Sequence, residues 1–132
     1  MTGPVRPAGW ASPAGYADGV AARGRLIFAA GQVGWDPATH AFESDDFLAQ
    51  ARRALENVAA VLRAAGAEPR HLVRLSWFVT SKIEYRAARR ELGRAYRDVL
   101  GDHYPAMSLL VVSALLEDRA KVEIEATAVV PE

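Results

Sequence analysis

The sequence predicts an α+β domain in the order β-β-α-β-α-β-β, and three observations carry that prediction. Two segments place apolar residues at helical spacing between cap signals. Several shorter segments are rich in β-branched and aromatic residues, or alternate apolar with polar. The 132 residues are 51% hydrophobic and 24% charged, the size and composition of one globular domain with a core of its own. No internal repeat or low-complexity linker divides the chain, so residues 1–132 are read as a single domain. Its expected architecture is one mixed sheet with two helices on one face.

Residues 1–13 are rich in Pro, Gly and Ala and read as an irregular arm without the charged-then-apolar pattern of a signal peptide. Strands follow at 19–22 and 25–33, with Arg23-Gly24 between them as a hairpin turn. The first helix is expected over 46–65. Phe47, Ala51, Ala54, Leu55, Val58, Val61, Leu62 and Ala65 share its apolar face, Ser44, Asp45 and Asp46 offer N-cap oxygens, and Gly66 occupies the left-handed C-terminal cap. A strand at 72–80 leads to the second helix, 82–100. It opens on a Ser81/Glu84 capping box, shows Tyr85, Ala88, Leu92, Ala95, Tyr96 and Val99 on one face, and stops at Gly101. The last strands are 108–116, almost wholly apolar, and 120–130, which alternates, with a turn at Glu117-Asp118 between them.

The strand 108–116 has no polar side, and such strands are normally covered on both faces. Two helices cover only one face of a sheet this wide, so the expected second cover is another copy of the chain. The alternative is a strand enclosed in one subunit's core.

Sixteen basic residues balance sixteen acidic ones, which removes any global attraction to nucleic acid or anionic membrane. No apolar run is long enough to span a bilayer. The absence of cysteine excludes disulfides, thiolate metal sites and a cysteine nucleophile, and is compatible with the cytoplasm, the expected location.

Chemical motifs are sparse. His40, His71 and His103 are scattered without metal-ligand spacing and read as surface or satisfied histidines, so no metal is expected. The run Gly31-Gln32-Val33-Gly34 is too short for a phosphate loop and suits a strand end or bulge. Arg86, Arg90, Arg94 and Arg97 form a stripe on the second helix, opposite the Tyr85/Leu92/Tyr96 face. It reads either as a phosphate track or, preferably, as a solvated face. Glu123 and Glu125 share a strand face, either as acid/base or water-holding carboxylates or as solvent-facing groups paired with Lys121.

The motifs taken together closely resemble the RidA/YjgF family, whose members have also been called liver perchloric-acid-soluble protein and translation-inhibitor endoribonuclease. The resemblance rests on Gly15-Tyr16, RLIFAAGQ at 25–32, DPAT at 36–39, Gln50, Leu55-Glu56-Asn57, Ala64-Ala65-Gly66, Val79-Thr80, Tyr104-Pro105-Ala106-Met107-Ser108 and KVEIEATA at 121–128. It implies a chorismate-mutase-like fold and a homotrimer with clefts between subunits. It also implies hydrolysis of reactive enamines and imines without metal or organic cofactor. By the same resemblance Glu123 is the catalytic carboxylate that positions water. Tyr16, Ala30, Gly31, Gly93, Met107, Ser108 and Leu109 fall at substrate-binding cleft positions.

The departures from the family pattern are informative. Its P-A-R-S motif reads Pro105-Ala106-Met107-Ser108, so the arginine fork that clamps a substrate carboxylate is absent. Ala30 replaces a serine, and Gly93 stands at the position of an asparagine. A larger, less polar imine or enamine is the expected substrate, bound in the inter-subunit cleft. Trp35 and Trp77 are candidates for lining it, although both read more strongly as core. A hydrolase using Glu123 is placed slightly ahead of a non-enzymatic ligand-binding or regulatory trimer. RNA cleavage comes third, since no histidine pair lies in the cleft motifs.

Overall fold

The structure is a computed structural model that describes residues 3–132; Met1 and Thr2, the start of the expected irregular arm, lie outside it. The chain runs through β1 (Gly3–Val5), β2 (Gly19–Ala21), β3 (Arg25–Val33), α1 (Phe47–Ala64), a 3-10 turn (Pro69–His71) and β4 (Leu72–Val79). It continues through α2 (Lys82–Ala87), α3 (Arg89–Leu100), β5 (Ala106–Val111) and β6 (Val122–Val130). The main sheet is mixed, in the order β3-β6-β4-β5. β4 and β5 are parallel, as their helical crossover requires, and the other pairs are antiparallel.

Local signals set the first helix. The Asp46 carboxylate accepts from the Ala49 amide at 2.9 Å. At the far end Gly66 takes φ 77°, while the Ala67 amide donates to the Leu62 carbonyl and the Gly66 amide to the Arg63 carbonyl, a complete Schellman closure. The buried face of α1, including Ala51, Ala54, Leu55, Val58 and Leu62, lies on β3 and β6 and meets α3 alongside. Beneath it Leu72, Leu75, Val79, Val122, Ile124 and Ala128 complete one core. Each fully buried Leu, Ile or Val there contributes about 1.5–3 kcal/mol over an exposed one.

Four expectations are corrected. β2 does not form a hairpin with β3; it pairs with β1, inside the segment expected to be irregular. Gly24 instead lets β3 pass close to β6, since a Cβ there would stand 2.1 Å from the Val130 carbonyl oxygen. The second helix is broken at Ala88 (φ −95°, ψ 3°) into α2 and α3. Its capping box is half formed: Ser81 Oγ accepts from the Glu84 amide at 3.1 Å, but the Glu84 carboxylate pairs with Lys121 Nζ at 2.9 Å. Finally, β5 spans Ala106–Val111 rather than 108–116. The Val112 amide makes the last bond to β4, on Val79, and beyond it the parallel ladder has no partner strand.

Alternation leaves the second sheet face without helices. It carries Leu26 and Phe28 of β3, Glu123, Glu125 and Thr127 of β6, Ser76 and Phe78 of β4, and Ser108 and Leu110 of β5. Strand register lines up Glu123–Phe78–Leu110 and Glu125–Ser76–Ser108 across this face. Phe28 is 72% exposed, Leu26 57% and Leu110 48%, so in the single chain the open face leaves large apolar side chains uncovered among its polar ones. Among the described residues no helix is long and apolar enough to cross a membrane.

Candidate functional site

A cavity of about 570 Å³ opens along β5, between that strand, α3 and the N-terminal arm. The arm is held there by backbone. The Ala17 amide donates to the Pro105 carbonyl at 3.0 Å and Ala17 bridges Ala106, which lays Ala14, Gly15 and Tyr16 beside the start of β5. Met107 and Leu109 reach the cavity from β5, and Trp77, in register with Leu109, adds to the wall.

Aromatic side chains from the helices continue the lining. Tyr96 stacks on Tyr104 with ring centroids 5.2 Å apart, and its hydroxyl donates to the His103 carbonyl at 2.6 Å. Burial, and secondarily Tyr104, pushes the Tyr96 hydroxyl well above the usual tyrosine range, so it stays a protonated donor. Tyr85 also lines the cavity and meets Phe47 edge to face at 6.5 Å. From α3 come Leu92 and the row Arg89, Gly93, Arg97, spaced four residues apart. Among the described residues neither arginine makes a hydrogen bond or ion pair to protein.

Glu123 lies elsewhere, half-buried on the open sheet face. Among the described residues its carboxylate has no hydrogen-bond or ion-pair partner, so its lone pairs are free to accept. Gly31 clears the space in front of it: a Cβ there would stand 2.5 Å from Glu123 Oε2. The strand bulges between Ala29 and Gln32, where the Gln32 side-chain amide donates to the Ala30 carbonyl at 3.1 Å. Two buried amides of α1 fix the flanking segments. Asn57 donates to the Val33 and Trp35 carbonyls at 3.1 and 2.9 Å. Gln50 donates to the Arg119 carbonyl at 3.0 Å and accepts from the Lys121 amide at 2.8 Å. Gly34 completes the support, since a Cβ there would stand 2.4 Å from the Gln50 carbonyl oxygen.

One chain therefore brings together Tyr16, Gly93, Met107 and Leu109 in the cavity, and separately Ala30, Gly31 and Glu123 at the bulge. Ser108 alternates away from Met107 and Leu109 onto the open face. Of the two tryptophans, Trp77 lines the cavity, whereas Trp35 stacks on His40 at 4.1 Å. His71 Nδ1 accepts from the Glu68 amide, and His103 Nε2 meets the Leu72 carbonyl at 2.8 Å, so both are structural. Lys121 pairs with Glu84 rather than with Glu123 or Glu125. The arginines of the stripe, Arg86, Arg90, Arg94 and Arg97, are all exposed, as a solvated face requires, and only the placement of Arg97 is corrected. Arg97 shares the cavity with Tyr85, Leu92 and Tyr96 instead of facing away from them, and its companion there is Arg89. The R-x-x-x-G-x-x-x-R spacing at 89–97 was the available signal for that pair.

An α+β domain with a cavity at its parallel sheet edge and an unpaired carboxylate on an open face is the class that fold and site define. The family model described as Endoribonuclease L-PSP matches residues 8–130. The chain is 38% identical over 106 residues to protein DfrA of Myxococcus xanthus, covering 80% of this chain and 77% of that one. It is 35% identical over 109 residues to the 2-iminobutanoate/2-iminopropanoate deaminase of Salmonella typhimurium, covering 80% of each. The crystal structure of a conserved Rid-family protein of unknown function, YyfB of Yersinia pestis, superposes with a TM-score of 0.82 at 32% identity, over 98% of both chains. The protein belongs to the RidA/YjgF family, the one its motifs resemble.

Proposed function

We propose that the protein is a cytoplasmic homotrimer that hydrolyses an apolar or aromatic imine or enamine in clefts between its subunits. The observation that carries this reading is the half-buried carboxylate of Glu123, without a protein partner among the described residues and facing a position cleared by Gly31. Packing of copies through the open face covers Leu26, Phe28 and Leu110 and gives Glu123 of one copy a route to the Tyr16/Met107 cavity of another. The printed name of the Salmonella relative, an imine deaminase, supports the reaction class.

In the proposed step Glu123 accepts a proton from water as the oxygen adds to the C=N carbon. That proton passes to the nitrogen to give the carbinolamine, whose hydroxyl proton then moves to nitrogen as the C–N bond breaks, releasing ammonia and leaving a carbonyl; an enamine first takes a proton on carbon to become the imine. Water is the only co-reactant, so the chemistry calls for no metal or organic cofactor. RNA cleavage gains no support. His71 and His103 are engaged in structural hydrogen bonds, and His40 is stacked on Trp35.

The test generates the imine of phenylalanine with an amino-acid oxidase and follows its decay by semicarbazide trapping. Glu123→Gln keeps the side chain's shape but is a far weaker proton acceptor, and is expected to lower turnover by about a hundredfold or more with little change in ligand affinity. Unchanged turnover removes the proposed water activator. Met107 favours a second reading, a ligand-binding trimer without turnover, because it removes the strand's carboxylate clamp. Ligand binding by a native protein that leaves imine decay at its uncatalysed rate would select that reading.

A further inference from the structure

We propose that the cleft takes an anionic substrate and grips its acid group from helix α3, with Arg89 and Arg97 on either side of Gly93, in place of a clamp on β5. The proposal deepens the imine reading and rests on it for the reaction, though not for the binding.

The first support is charge. No Asp or Glu of the same chain lines the cavity, so Arg89 and Arg97 give it a formal charge of +2, which stays positive at +1 where Glu123 of another copy reaches it. Arg25, Arg52, Arg53, Arg70 and Arg119 all have protein acceptors. Among the described residues Arg89 and Arg97 have none, as is also true of the exposed Arg86, Arg90 and Arg94; what sets the two apart is that they line the cavity, where a planar guanidinium is suited to a bidentate carboxylate.

The second support is shape. The two arginines are eight residues apart on one helix row, about 12 Å along the axis, with a glycine midway. Glycine is a poor helix former, yet this one stands inside α3. Adding a Cβ to Gly93 would meet Arg97 Nη1 at 3.5 Å, so the missing side chain leaves a slot against the guanidinium. The opposite wall, Met107 with Leu109 and Trp77, offers no charge and suits an aromatic body. An arginine at 107 would be a third cation in a cavity that already holds two. Together these features specify an aromatic 2-imino acid rather than the small imine of alanine.

Calorimetric titration of the full-length protein with 3-phenylpropanoate, and with its neutral primary amide, tests the grip without requiring turnover. The acid is expected to bind at least about tenfold more tightly than the amide. Arg89→Gln and Arg97→Gln should each erase most of that preference. Arg97→Lys should keep part of it, and Arg94→Gln, exposed and outside the cavity, should leave it intact. Gly93→Ala should raise Tm while weakening acid binding, opposite signs that a purely structural glycine would not produce. Equal affinity for acid and amide, no binding of either, or a preference that survives the Arg89→Gln/Arg97→Gln double variant would overturn the proposal. The reaction reading fails separately. Acid preference with no Glu123-dependent turnover removes only the chemistry, whereas Glu123-dependent turnover without acid preference removes only the arginine grip.

Discussion

The two faces of the main sheet differ both in composition and in what covers them: one is apolar beneath helices, and the other mixes apolar with polar side chains and has no helix over it. On one, Leu75, Val79, Val122, Ile124 and Ala128 are fully or almost fully buried beneath α1 and α3. On the other, Leu26 and Phe28 are more than half exposed and Leu110 is 48% exposed, on a face that also carries Glu123, Glu125, Ser76 and Ser108. The helix-covered face is completed by its own chain and includes its polar groups in that completion: Gln50 and Asn57 are buried, and each is hydrogen-bonded to backbone. Among the described residues, the open face has apolar side chains without a cover and a carboxylate without a partner. One face thus supplies the stability of the fold, and the other is the one that the proposed assembly and chemistry would use.

The largest expected effect breaks the open face alone. Leu110→Asp should leave the circular dichroism of the fold nearly unchanged, because Leu110 is 48% exposed in the single chain. In the proposed trimer the same substitution places an unpaired charge in an interface three times over, at several kcal/mol each. Light scattering at micromolar concentration should therefore give a trimer mass for the native protein and a monomer mass for the variant. A monomeric native protein sinks the assembly, and with it the route that brings Glu123 to the cavity.

The next largest effect reverses the pattern on the covered face. Leu55 is completely buried between α1 and the sheet. Leu55→Ala removes packed methyl groups from a site that cannot collapse fully, at a cost of about 2–5 kcal/mol. Denaturant unfolding at fixed protein concentration should show that loss, while the folded fraction keeps the native assembly mass. Dissociation without loss of stability would show that the two faces are not separable in the way their burial implies.

How far the sequence discloses this division depends on the range of each signal. The bounds of α1 are legible because Asp46 and Gly66 act within one turn of their own position. The partner of β2 is not legible. Strand propensity says that a segment is extended but not which edge it joins, and Pro4 made its partner look irregular. The break at Ala88 escapes notice because alanine carries no breaker signal. Glu123 looks like an ordinary solvent-facing carboxylate until Gly31 is placed against it, a contact between strands distant in sequence. The grouping of Tyr16, Gly93, Met107 and Leu109 came through family resemblance, and the cavity brings those four side by side. Sequence places Arg97 with the exposed stripe because a helical wheel gives the angle at which a side chain leaves the helix. It does not give how far an arginine reaches around it.

The smallest effect tests the division within the cavity, where β5 offers Met107 and α3 offers two arginines. A charge-assisted hydrogen bond is worth about 1.5–3 kcal/mol, a bidentate arginine clamp makes two of them and is worth somewhat more, and each ~1.4 kcal/mol is tenfold in rate or affinity. The native protein should therefore clear 2-iminopropionate at least about a hundredfold less efficiently than a relative with arginine at this strand position. Met107→Arg should recover roughly a tenfold part of that gap. It should not recover all of it, because Ala30 and Gly93 also lack the polar groups expected at those positions. On the phenylalanine-derived imine the same substitution should act in the opposite direction, since it replaces an apolar wall with a charge beside two existing cations. The measurement is the ratio of kcat/KM for the two imines, each generated in situ and trapped with semicarbazide. A rise for the small imine with a fall for the aromatic one places the specificity at the junction of β5 and α3. Equal rises would show that the strand position governs acid binding for both substrates, and that the helix arginines do not stand in for it.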